Sequence, residues 1–460
     1  MRIRKYDFDY SRRSFLEKTA KGIGTTGVLA PMWAQAASTG EIGKAYPDEL
    51  LSIEMYTKGK VKTGDYITAA NVEAVKDMID PIIYENIKNQ GRKIKIVPTT
   101  KDITSLYNKD FLEATLKNKG QAKFGEDGNI CMQDGTKWQG GTPFTEPKDG
   151  KEALTNCTLS WGRRNFSGYP IESVDLGPDG NVAYRYEWFW AELQYSARAD
   201  GKIFAGGGGR EDLLRLQTVF FTSPNDTKGS SFLSVWYYDQ RKFPDLYGYF
   251  PAFKRVRQFP TNQRFEPIAP GMTFFLSDAW SAGDPMLTWG DYKLIERRPF
   301  LGPVSDNWQG DRPRYKKELH GGAKGLTFYE TYFSMIPEAV VIETSPTGFP
   351  RAPVGRKRMW IDTRHNMYTS STTFDRQGKL WKSFETGSGR QQKGDKIFKN
   401  RDGSPAWSWD YVHCHDIQSN RMTRILHDET ITGGYKNEYD PDHDFYNAYL
   451  TNSAIARLGK

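Results

Sequence analysis

Hydrophobic positions recur with two different periods along this chain. In "TAANVEAVKDMIDPIIYENIKNQG", Val72, Val75, Met78, Ile79, Ile82 and Ile83 fall at helical spacing, with Asn71 as a cap and Gly91 as a stop. Pro81 is expected to kink or split that helix. A second helix is predicted in "KDFLEATLKNKG", ending at Gly120, and the stretch from there to about Pro178 reads as loops with short strands and turns. From Asn181 the period becomes two. In "NVAYRYEWFWAELQYSARADGK", Tyr184, Tyr186, Trp188 and Trp190 alternate with other residues, so four aromatics share one face of a strand. Further strands are predicted in "LLRLQTVFFTS", "SSFLSVWYYDQ", "GMTFFLSDAW", "DYKLIERRP", "LTFYETYFSMI", "AVVIETSP", "KRMWIDTRHNMYTSSTTFDRQGKLWKSFE" and "WDYVHCHDIQSNRMTRIL". Turn signals such as Arg376-Gln377-Gly378, Asn225-Asp226 and Ser345-Pro346 separate most of them.

Many consecutive strands with few helices between them predict one antiparallel sheet that curls, and exclude a βαβ enzyme fold. Tyr184, Tyr186, Trp188, Trp190, Trp236, Tyr238, Phe274 and Trp289 offer more large apolar surface than one layer needs. A second sheet, the N-terminal helices or a ligand must cover it. A curved sheet around an apolar cavity satisfies the pattern, so these eight residues are the candidate ligand-binding lining.

With 460 residues, 37% hydrophobic and 14% aromatic, the chain can bury a large core. The formal charge of +8 falls to +4 without residues 1–36, which carry seven basic and three acidic side chains. Basic and acidic residues interleave, and Arg356-Lys357-Arg358 reads as a solvated strand end, so nucleic-acid binding is not expected. Three cysteines, Cys131, Cys157 and Cys414, cannot form a disulfide framework; free buried thiols are expected, with Cys131 and Cys157 the pair if one bridge forms.

The amino terminus changes the picture of where the chain works. "SRRSFLE" precedes a short apolar run, Gly22 to Trp33, and the small-x-small site Ala34-Gln35-Ala36. Arg12 and Arg13 make this a twin-arginine signal, with cleavage after Ala36 releasing one domain, 37–460, into the periplasm. Its helical part is expected at about 66–120 and its β part at about 121–460. No later apolar run is long enough to span a bilayer, so membrane contact is at most peripheral.

Catalytic signals are sparse. His413 and His415 in "HCHD" point the same way if they lie on a strand, which is how some metal sites begin; His427 and His443 follow nearby, and Trp409 and Tyr411 are expected on the same face. No HExxH or paired CxxC completes such a site. "FAGGGGRED" lacks the Lys-Ser/Thr of a phosphate loop and reads as a hairpin loop. Asp440, Asp442 and Asp444 lack the glycine and distal glutamate of an EF-hand and read as a solvated loop. No G-x-S-x-G elbow is present.

"GGTPFTEP" (140–147), "YGYFPAFKRVRQFP" (247–260), "GMTFFLSDAW" (271–280), "YKLIERRP" (292–299) and "MWIDTRHNMYTSSTTFDRQGKLWK" (359–382) resemble, in order, a large family of periplasmic proteins of unknown function similar to the lipoprotein-sorting carriers LolA and LolB. The resemblance extends from about Tyr46 to Arg457. It implies a LolA/LolB-like, mainly β (α+β) fold: a strongly curved antiparallel half-barrel with N-terminal helices packed on its concave face, holding acyl chains or another hydrophobic guest. It also implies a setting beside resistance-nodulation-division type exporters and outer-membrane proteins. Arg255 and Arg257, on one face of their strand, are candidates to grip a lipid headgroup or a partner. The leading expectation is a non-catalytic carrier or chaperone with no cofactor other than a bound lipid. A metal-dependent enzyme using His413 and His415, and a structural partner of an envelope complex that fills its own cavity, are the alternatives.

Overall fold

A computed structural model of the chain describes residues 50–159, 163–260, 264–279, 284–304, 328, 331–393 and 395–459. Arg12, Arg13, Ala34, Ala36 and the rest of the export signal lie outside them.

Thirteen strands build the main sheet: β1 (Phe166–Leu176), β2 (Val182–Gln194), β3 (Leu213–Ser223), β4 (Ser231–Tyr237), β5 (Asp245–Phe250), β6 (Arg255–Phe259), β7 (Gly290–Val304), β8 (Thr331–Ser345), β9 (Val354–Asp362), β10 (Met367–Asp375), β11 (Leu380–Arg390), β12 (Trp407–Asp416) and β13 (Arg421–His427). Their spatial order is β7 to β13 followed by β1 to β6, antiparallel throughout. One long-range pairing, β13 with β1 from Met422↔Leu176 to His427↔Ile171, joins the late strands to the early ones. β6 pairs with β5 and β7 with β8, leaving a sheet that curls without closing. Three short strands extend it, among them Ile94–Ile96, parallel to the start of β8.

This order has a topological consequence. β6 and β7 are consecutive in the chain yet lie at opposite ends of the sheet, so the connection between them must cross the open side. Its described residues, 264–279 and 284–289, lie inside the curve. Tyr186 of β2 donates to the Pro270 carbonyl at 2.9 Å, while Thr273 donates through Oγ1 to the Cys414 carbonyl of β12 at 2.6 Å.

The helical period at 72–90 resolves as expected at Pro81. A 3-10 turn, Val72–Met78, gives way to α1 (Pro81–Gln90), with Asp80 accepting from the N–H groups of Ile82 and Ile83 and Gly91 closing the helix at φ 75°. α2 is Lys109–Lys117. The predicted loop region hides a third helix, α3 (Gly150–Leu159), together with β1. α3 carries no amphipathic stripe because it is buried almost all round, and β1 is masked in the sequence by Gly168 and Pro170. α4 (Phe445–Tyr449) and α5 (Asn452–Leu458) end the chain, so helix is not confined to 66–120.

Three predicted strands behave differently. "GMTFFLSDAW" is not a strand: it runs through the concave side and ends in a short turn of helix, Leu276–Ala279, its N–H groups at Thr273 and Phe275 met by the side chains of Thr423 and Asp278. "LTFYETYFSMI" and "AVVIETSP" contribute to one strand, β8, which carries Pro337 at a register shift against β7.

The helices divide between the two faces. Ser371, Phe384, Cys414, Thr423 and Asp175 form one cross-strand row on the concave face; Ser370, Glu385, His413, Arg424 and Val174 form the adjacent row on the other. α3 lies on the concave side, contributing Ala153, Leu154 and Cys157 to its cluster, and Phe111 and Leu112 of α2 pack at its rim with Met367 and Trp407. α1 lies on the convex side, where Asp80 accepts from Ser370 and Thr372, and Asn86 contacts His415 at 3.0 Å. α4 and α5 cover Phe189, Leu193, Phe220, Leu233 and Tyr249 on that same convex face.

Candidate functional site

The largest apolar cluster fills the concave face. Tyr186, Trp188 and Trp190 point into it from β2, Phe221 from β3, Trp236 from β4, Met359 and Ile361 from β9, Phe384 from β11, and Val412 and Cys414 from β12. Met272, Phe274, Met286 and Trp289 meet them from the crossing segment. Six of the eight predicted lining residues therefore come together. Tyr184 stays exposed at the strand end, stacked on Tyr186 at 6.0 Å. Tyr238 lies in a separate cluster with Trp138 and Leu214, its hydroxyl donating to the Ile130 carbonyl at 2.8 Å.

The hollow expected beneath these rings is almost filled by the crossing segment and α3. Among the described residues, an apolar cavity of about 30 Å³ lies there, lined by Ile171, Trp188, Trp190, Phe274, Phe384, Thr386, Trp409, Val412 and Ile425. Trp188 and Trp409 line this cavity with their apolar atoms; their Nε1–H groups, and that of Trp289, have no acceptor among the described residues. A buried donor left unmatched costs about 1–3 kcal/mol.

Trp409 reaches the cavity by a local irregularity. The β11–β12 register shifts between Gly387 and Ser388, so Trp409 turns inward while Tyr411, two residues on, turns outward to donate to Glu385 at 3.2 Å. Tyr411 therefore shares the histidines' face as expected, its ring 5.3 Å from that of His413, while for Trp409 that expectation is corrected by this bulge.

Beside the apolar cluster lies a charged group that sequence reading missed. Lys357 (β9), Thr373 (β10) and Lys382 (β11) form a cross-strand row, next to the row that holds Phe384. Lys382 Nζ is 2.5 Å from Asp278 Oδ2 and Lys357 Nζ is 3.4 Å from Asp278 Oδ1, all three side chains being at most 5% exposed. Lys357 also donates to the Ser277 carbonyl at 2.9 Å. Burial pushes the Asp278 carboxyl up, but the two ammoniums outweigh it and hold it below the usual range. Burial lowers Lys357, against the pull of Asp278 and Asp284. Arg264 pairs with Asp284 nearby. The reading of Arg356-Lys357-Arg358 as solvated is corrected for its middle residue: Arg356 and Arg358 pair with Glu343 on the other face, while Lys357 is buried. The signal in the sequence was phase, because Lys357 is in step with Met359 and Ile361, and Lys382 with Phe384.

The histidines do point together, both ring centroids 5.9 Å from Phe328, but on the convex face. His413 lies 3.7 Å from Glu385, which pairs with Arg92; His415 is held between Asn86 and Asn420. Burial lowers each to about 4. His427 contacts the Trp409 carbonyl, and His443 pairs with Glu438. Among the described residues, no three His, Cys, Asp or Glu side chains are placed to hold a metal ion. Asp440 accepts from the Phe166 N–H, Asp442 pairs with Arg401 and Asp444 caps α4, so the three carboxylates serve separate structural contacts. The cysteines are free thiols, and burial pushes Cys157 and Cys414 up to about 12, where they are poor nucleophiles. The four-glycine stretch connects β2 to β3, with Gly207 and Gly208 at positive φ.

Arg255 and Arg257 project from edge strand β6, exposed and without an ion pair among the described residues; the Arg257 guanidinium lies 4.7 Å from the ring of Phe253, which is 56% exposed. No described helix is long and apolar enough to cross a membrane.

Residues 66–456 match the family described as "Protein of unknown function (DUF1329)". Similar solved structures include a domain assigned to outer membrane lipoprotein sorting from Vibrio parahaemolyticus, at 13% identity, covering 67% of this chain and 99% of that one, with a TM-score of 0.43. A DUF1329 family protein from Desulfovibrio piger is 14% identical over 66% of this chain and 97% of its own, with a TM-score of 0.42. A LolA superfamily protein from Nitrosomonas europaea is 10% identical over 66% and 99%, with a TM-score of 0.35. No curated protein shows significant similarity to the chain.

Proposed function

Since the chain belongs to the DUF1329 family, whose function is unknown, we propose a role from the site itself: a periplasmic, non-catalytic carrier of a hydrophobic, lipid-like molecule. The observation that carries this reading is the aromatic concave face, converging from both halves of an unclosed sheet on an apolar cavity. Burial supplies the affinity, at about 25 cal/mol per Å² of apolar surface, and each added methylene contributes about 0.8 kcal/mol.

A cavity of about 30 Å³ admits no acyl chain, so the crossing segment must give way to the guest. Apart from an isolated bridge, Pro267↔Phe275, the segment's described residues make no strand pairing, and side chains supply most of its anchors.

Arg12 and Arg13 are proposed to send the folded chain through the twin-arginine route, with 37–460 as one domain. Arg255 and Arg257 are proposed to meet lipid headgroups or the acidic rim of an exporter or outer-membrane partner. No metal or organic cofactor is part of this reading.

The filled concave side favours one second reading, a structural partner of an envelope complex whose interior is permanently occupied. Native mass spectrometry of protein purified from its own envelope separates them. A bound lipid mass supports the carrier, whereas protein that arrives empty and rejects fluorescent fatty acids supports the structural partner. A stoichiometric metal lost in the His413→Ala, His415→Ala variant would replace both with a metal-dependent role.

A further inference from the structure

The crossing segment carries an apolar part and a charged part in fixed spacing. Phe274 stacks on Phe384 at 5.9 Å and lines the cavity, and four residues later Asp278 bridges Lys357 and Lys382. The wall opposite is laid out the same way. Along β11, Lys382 is followed on the same face by Phe384 and then by Thr386 at the cavity, a run of about 13 Å at strand spacing. An anchor for an anion therefore stands at one end of a groove whose other end is made of rings.

Resting on the carrier reading, we propose that Lys357 and Lys382 form the headgroup subsite for an anionic single-chain amphiphile, and that the segment from Met272 to Asp278 occupies this site as an internal surrogate. The guest's carboxylate takes the place of the Asp278 carboxylate between the two ammoniums, and its chain takes the place of Phe274 against Phe384, Val412, Trp188 and Trp409.

The charge arithmetic favours exchange over simple opening. Withdrawing Asp278 alone leaves two buried ammoniums without their shared carboxylate, and breaking one side of a buried ion pair costs about 3–5 kcal/mol. An incoming carboxylate restores both contacts, whereas a neutral guest does not. Neighbouring charges leave room for it: Asp284 is engaged by Arg264, and the Cys414 thiol, 3.9 Å from Asp278, stays protonated and uncharged. The site thus discriminates by charge at one end and by apolar length at the other.

Quenching of the cavity tryptophans by dibrominated stearate and by its methyl ester tests this on the full mature chain. The acid is expected to bind at least about tenfold more tightly than the ester. Asp278→Asn removes the competing carboxylate charge and should tighten the acid alone. Lys357→Met with Lys382→Met should abolish the preference while ester binding persists. Equal binding of acid and ester by the unmodified protein overturns the headgroup subsite and leaves the carrier standing. Quenching by neither overturns the carrier and this subsite with it. Inorganic phosphate binding as tightly as the acid would make this a small-anion site and overturn the amphiphile assignment. The comparison in the unmodified protein decides the matter even if a variant fails to fold.

Discussion

The Arg92 guanidinium and the Glu385 carboxylate meet at 2.7 Å, each side chain only 1% exposed, and tie the segment after α1 to the convex face of β11. Burial pushes Glu385 up, yet Arg92 and His413 together bring it down to about 2. Phe328 and Phe333 flank the guanidinium at 4.5 and 5.8 Å, so water cannot replace a lost partner easily. Arg92→Met is expected to cost about 3–5 kcal/mol of stability, because it strands a buried carboxylate. Urea denaturation at pH 7 measures it; a loss below 1 kcal/mol would show that this pair does not hold the helix to the sheet.

Acid should unfold this protein early. Burial lowers His413, His415 and His427 to about 4 from the usual 6.5. Between those values the unfolded chain binds protons that the folded one refuses, so stability falls as pH falls from about 6.5 to about 4. The slope is up to about 1.4 kcal/mol per pH unit for each histidine, before opposing groups are counted. His415→Gln should remove about a third of the histidine contribution in a series of denaturation curves across that range.

Asp175 acts in the opposite sense. Burial raises its carboxyl to about 7, against hydrogen bonding from Thr423 and attraction to Arg421 and Arg424. The folded state therefore holds a proton that the unfolded state loses from about pH 4, and stability declines as pH rises from there to about 7. Asp175→Asn should be stabilising above pH 7, by at most a few kcal/mol, and close to neutral at pH 4. Equal effects at both pH values would mean that Asp175 is ionised in the fold.

Gly387 allows the bulge that turns Trp409 inward. A Cβ there would stand 2.0 Å from the Tyr411 ring, which is pinned by Glu385. Gly387→Ala should cost about 1–3 kcal/mol and alter tryptophan fluorescence as Trp409 shifts. An unchanged spectrum and an unchanged melting temperature would count against the bulge as the device that aims this ring.

Export can be tested apart from binding. Arg12→Lys with Arg13→Lys should leave the chain in the cytoplasm still carrying residues 1–36, as fractionation and intact mass would show. Continued release of protein cleaved after Ala36 would point to the general secretory route.

The strands were legible because alternation is local: a residue's phase relative to its neighbours states which face it joins, and β2 and β3 emerge where their periods place them. Phase even held the clue to Lys357, set among surface arginines but in step with Met359 and Ile361. Local pattern could not say what lies above a face. That "GMTFFLSDAW" crosses the concave side instead of pairing as a strand follows from β6 and β7 ending at opposite edges, a product of the β13–β1 pairing between residues about 250 positions apart. The division of α1 and α3 between opposite faces, the inward turn of Trp409 and the meeting of Asp278 with two lysines have the same origin. Period fixes which way a side chain points, but only the closure of distant strands decides what it meets there.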